Sequence, residues 1–76
     1  MDNRQQHIER IRAWAYSKGY TKAQIDQGIA YAIEQGAGNG GSIGNSEIAT
    51  LMMSRILFSD EQLRDGKRYN LTHQLP

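Results

Sequence analysis

The residues able to do chemistry in this chain are few and far apart. His7 and His73 stand near opposite ends, and with no cysteine the chain has no thiolate nucleophile, thiolate zinc ligand or disulfide. A catalytic site needs several titratable groups in mutual reach, and a structural metal site needs more ligands than His7 and Glu9, which at a separation of two cannot share a helix face. Asp60, Glu61 and Asp65 do cluster, but acidic residues in a first helical turn complement the helix macrodipole. This inventory points away from an enzyme and implies no metal and no cofactor.

Two further patterns invite a ligand. Gly36-Ala37-Gly38-Asn39-Gly40-Gly41-Ser42-Ile43-Gly44 could bring backbone N–H groups close to a phosphate, with a helix start following at Asn45-Ser46. No strand precedes it, no Gly-Lys-Ser/Thr ends it and no ribose-binding acid follows, so it reads as a flexible loop. The second pattern is cationic: Arg4, Arg10, Arg12, Lys18 and Lys22, with Lys67 and Arg68 near the other end. They form the candidate surface for the alternative function, a small helical DNA-binding regulator. The balance of nine basic and eight acidic residues, mixed along the chain, gives a net charge of +1 and little of the basic excess that phosphate binding uses. A helix-turn-helix over Ser46–Leu57 would make Asp60–Asp65 its recognition helix, and an acidic N-terminus there opposes phosphates.

The elements that must position these residues are announced by three capping boxes, Asp2-Asn3-Arg4-Gln5, Thr21-Lys22-Ala23-Gln24 and Ser59-Asp60-Glu61-Gln62. Tyr20 and Phe58 precede the second and third, placed to staple against Ile25 and Leu63. The first helix, about residues 3–18, aligns Ile8, Ile11 and Ala15 with Trp14 beside them. Gly19 ends it, and the second helix, about 22–35, follows so closely that an αα-hairpin is expected. That second helix carries Ile25, Ile29, Ala32 and Ile33; its Gly28 either permits close helix approach or is merely tolerated. After the loop at 36–44, the third helix, about 45–57, is apolar around most of its circumference. A short fourth helix, about 60–65, ends at Gly66, and residues 67–76 form a tail that is extended, docked or flexible.

The expectation is therefore an all-α single domain over residues 1–76, at a size where a partner commonly supplements the core. A hairpin cannot cover the whole third helix, so a homodimer sharing that helix is expected. The N-terminal residues lack an apolar signal region and no stretch approaches the roughly 20 apolar residues of a membrane span, so a cytoplasmic chain with no membrane partner is expected. Function follows from surplus apolar and aromatic surface: a non-enzymatic protein-binding regulator or inhibitor that occupies a partner's surface. Small antirepressors and enzyme inhibitors of phages and plasmids are the analogy, in size and composition alone. The candidate partner-binding residues are Tyr16, Tyr31, Met52, Met53, Ile56, Lys67, Arg68 and Tyr69.

Overall fold

In the computed structural model, which describes residues 3–36 and 47–69, the chain is all-α. Four helices follow in order: α1 (Asn3–Ser17), α2 (Lys22–Glu34), α3 (Glu47–Leu57) and α4 (Asp60–Arg64). Asp2 (the cap of the first capping box), the glycine-rich loop beyond Gly36, the start of the third helix and the tail beyond Tyr69 lie outside the described residues.

Local chemistry sets the helix ends. Thr21 Oγ1 accepts from the Gln24 backbone N–H at 3.2 Å while Gln24 Oε1 accepts from the Thr21 N–H at 2.9 Å. Ser59 and Gln62 repeat this at the start of α4, at 3.2 and 2.9 Å. Each box satisfies two otherwise orphaned donors. At the end of α1, Tyr20 N–H donates to Ala15 O at 3.2 Å and Gly19 N–H to Tyr16 O at 3.0 Å, the two bonds of a Schellman motif. The motif places Gly19 at φ 95°, a conformation that a Cβ disfavours. The chain reverses there and enters α2 at once.

The core collects Ile8, Ile11 and Ala15 from α1, Ile25, Ile29 and Ala32 from α2, and Ile48, Ala49, Met52 and Met53 from α3, with Trp14, Tyr20, Leu51, Ile56 and Tyr69 packed around them. The short connection between α1 and α2 does not make theirs the most extensive contact; α2 lies most closely on α3. Gly28 is the reason. A Cβ at that position would stand 2.6 Å from Met52 Cγ and 2.8 Å from the Met52 carbonyl oxygen, closer than real Cβ atoms come. Of the two roles open to Gly28 in the sequence, close approach is the one observed.

This contact corrects the expectation about α3. Met52 and Met53, placed by sequence on an exposed partner-binding patch, are buried, Met53 to 1 % exposure. Burying such a side chain contributes about 1.5–3 kcal/mol, and the absence of a side chain at Gly28 lets one chain collect that gain internally. Among the described residues of α3, Leu57 is the large apolar side chain left exposed, at 44 %. No second copy is needed to cover Met52 and Met53.

Candidate functional site

The C-terminal end of α2 and one side of α4 border an open cleft of about 360 Å³, lined by Tyr31 and Gln35 on one side and by Asp60, Leu63 and Arg64, with Arg68 beyond α4, on the other. Leu63 is buried and forms an apolar wall, and Tyr31 is half-buried. The charges here are arranged unequally. Asp60 Oδ1 accepts from Arg55 Nη1 at 2.7 Å, so its partner comes from α3 and not from a cleft arginine. Arg68 is oriented by its own backbone surroundings: Nη1 donates to Leu63 O at 3.1 Å and to Lys67 O at 2.8 Å. Arg64 is exposed, and among the described residues it has no hydrogen bond or ion pair. With Asp60 matched by Arg55, the cleft presents a net positive lining beside a tyrosine and a leucine.

The short segment after α4 is docked through as far as the structure describes it. The buried Ser54 hydroxyl donates to Thr50 O at 2.7 Å and accepts from the Tyr69 backbone N–H at 2.8 Å, tying residues fifteen positions apart. Lys67 Nζ lies 5.4 Å above the Phe58 ring, within cation–π range. Burial pushes the Tyr69 phenol above its ordinary pKa, with Tyr20 adding to the shift. Tyr69 also lines a smaller cavity of about 200 Å³ with Trp14, Lys18, Tyr20 and Met53. The Trp14 indole N–H is buried and finds no acceptor among the described residues.

The eight residues singled out for partner binding thus divide. Tyr16 is exposed, at 48 %, on α1. Tyr31 and Arg68 meet in the cleft. Met52 and Met53 belong to the core. Ile56 is half-buried and borders a third cavity with Gln24, Gln27 and Arg55. Lys67 and Tyr69 have intramolecular partners. Sequence reasoning missed Arg64, although its position four residues after Asp60 puts both on one helix face; it lines the same cleft as Arg68, which follows the turn at Gly66.

The cationic residues of the alternative function are likewise dispersed. Arg12 of α1 and Lys22 both pair with Asp26 of α2, Lys22 at 2.8 Å, and Arg12 crosses between the two helices to do so. The hydrogen bond from Lys22, then that from Arg12, holds the Asp26 carboxyl below the usual carboxylate range, and Lys22 is raised in return. Arg4 is half-buried, whereas Arg10 and Lys18 are exposed. Two of the five cations therefore meet a carboxylate before any phosphate.

Among the described residues no group of three His, Cys, Asp or Glu side chains could hold a metal ion, and no helix is long and apolar enough to cross a membrane. The chain matches no protein-family model, no curated protein and no solved structure. What its own geometry defines, among the described residues, is an all-α protein with a tyrosine and arginine cleft between α2 and α4.

Proposed function

We propose that the chain is a small cytoplasmic, non-enzymatic protein-binding regulator or inhibitor that acts by occupying a partner protein's surface. The observation that carries this reading is the cleft, where Tyr31, Arg64 and Arg68 converge around Leu63. Tyrosine and arginine are, with tryptophan, the side chains enriched at interface hot spots, because each combines a large apolar body with directional donors. The exposed Tyr16 and Leu57 add apolar contact area on other elements. The binding surface is thus recast from the methionines of α3 to the α2–α4 cleft.

The test is capture from a lysate of the source cells with the tagged chain, with and without nuclease, compared with Tyr31→Ala. A stoichiometric protein that survives nuclease and is lost with Tyr31→Ala supports the reading. Recovery of nucleic acid alone, released at moderate salt, overturns it in favour of the DNA-binding alternative and the exposed Arg10 and Lys18. Light-scattering mass on the purified chain tests the homodimer expected from the sequence, whose contact would use exposed residues such as Ile33 and Leu57 and not the buried face of α3.

A further inference from the structure

We infer that the cleft between α2 and α4 receives an acidic segment of a partner protein, one carboxylate pairing with Arg64 and Arg68 while a neighbouring apolar side chain rests on Tyr31 and Leu63. The inference rests on the protein-binding reading and names the chemistry of the partner.

Three features of the cleft lead to this occupant. First, Arg64 has no partner among the described residues, so its planar fork of donors is open to a carboxylate in two-point geometry. Second, Arg68 is already oriented by bonds from Nη1 to two backbone carbonyls, so less side-chain freedom remains to be lost on binding. Third, Asp60, the one acid lining the cleft, is paired with Arg55, so an incoming carboxylate need not break an internal pair between Asp60 and a cleft arginine.

The same arrangement disfavours an extended polyphosphate. Glu61 and Asp65 stand with Asp60 on or beside the five-residue α4, and a nucleic-acid backbone lying along that helix would pass all three. A single acidic side chain entering between Tyr31 and Arg64 need not. The apolar wall supplies the rest: rim ion pairs in water contribute little alone, so a purely acidic peptide without an apolar neighbour should bind more weakly.

The experiment is fluorescence anisotropy on the full chain with a labelled peptide in which glutamates alternate with leucines, a matched peptide with glutamines in place of the glutamates, and a short DNA duplex. Binding of the acidic peptide, with the neutral peptide and the duplex at least about tenfold weaker, is the expected result. Arg64→Glu should weaken the acidic peptide by about tenfold or more, and Arg64→Lys, which keeps the charge and loses the fork, by less. Arg64 is exposed, so unchanged helicity shows that Arg64→Glu still folds. Equal binding of acidic and neutral peptides, indifference to Arg64→Glu, or preference for the duplex overturns the inference. If the lysate partner is captured equally by the original chain and Arg64→Glu, the inference fails while the protein-binding reading stands.

Discussion

Helix α2 makes two unlike contacts. Against α3, Gly28 brings backbone and side chains so close that even one methyl group has no room. Against α4, Tyr31 and Gln35 stand back across an open cleft from Arg64 and Arg68. The first contact is apolar and closed, and its residues are committed to the fold. The second is open and charged, and the Arg64 donors in it meet no partner among the described residues. The closed contact at Gly28 lets the α4 side of α2 stay open without weakening the packing of α2 on α3.

The largest test of this contrast is Gly28→Ala. Alanine improves helix propensity by about 1 kcal/mol, so a loose contact would be stabilised by the change. The tight contact predicts the opposite sign: overpacking costs about 1–3 kcal/mol, and its clash with the Met52 carbonyl oxygen, which is backbone, puts the cost at the upper end, for a net loss of up to about 2 kcal/mol. Urea denaturation monitored by circular dichroism reads the sign directly. A gain in stability would show that α2 and α3 are loosely packed at Gly28.

Ser54→Ala is expected next in size. It removes both the bond to Thr50 O and the acceptor for Tyr69 N–H, at a cost of about 1–2 kcal/mol for disrupting a buried hydroxyl's hydrogen bonds. Trp14 is the only tryptophan and shares a cavity with Tyr69, so its emission should report the release of Tyr69 before global unfolding. An unchanged Trp14 environment would show that other contacts hold Tyr69 in place. The effect also reaches the cleft, because Arg68 precedes Tyr69 and depends on that backbone path for its orientation.

These two residues mark what the sequence could and could not reveal. The capping boxes at Thr21 and Ser59 and the turn at Gly19 were legible because each is a matter of three to six neighbouring residues. The core stripe of Ile8, Ile11 and Ala15 was legible from helical period. The fate of Met52 was not, because it depends on a glycine about two dozen positions earlier lying beneath it, and Met53 is covered by Trp14, Tyr20 and Tyr69, which come from distant parts of the chain. The docking of Tyr69 was equally hidden, since a serine inside an apolar helix gives no sign of its acceptor role. Of the cleft, Tyr31 and Arg68 were found by residue type alone; Arg64 was overlooked among the acids of its own short helix.

Acidification sharpens the contrast from the core side. His7 is buried on α1, and burial, then the nearby Arg10 charge, lowers its pKa from the ordinary 6.5. The folded state thus disfavours the imidazolium, and the unfolded chain takes up the proton first. This contribution to stability is present above pH 6.5 and is lost as pH falls through the lowered folded value. Thermal melting from pH 7.5 to pH 5 should show a decline that His7→Gln flattens; equal slopes would remove His7 as the cause.

The smallest expected effect falls on the cleft side. Arg64→Gln removes a charge that has no partner among the described residues, so it should shift folding stability by no more than about 0.5 kcal/mol. The same denaturation assay that reads Gly28→Ala serves here, and the two values together measure how far α2 separates its two duties. A loss of 2 kcal/mol or more on Arg64→Gln would mean that the arginine holds the fold together, and the cleft could no longer be treated as surface kept free for a partner. A near-zero value leaves Arg64 available for binding, because a side chain that does little for folding can spend its donors on another molecule without loosening its own helix.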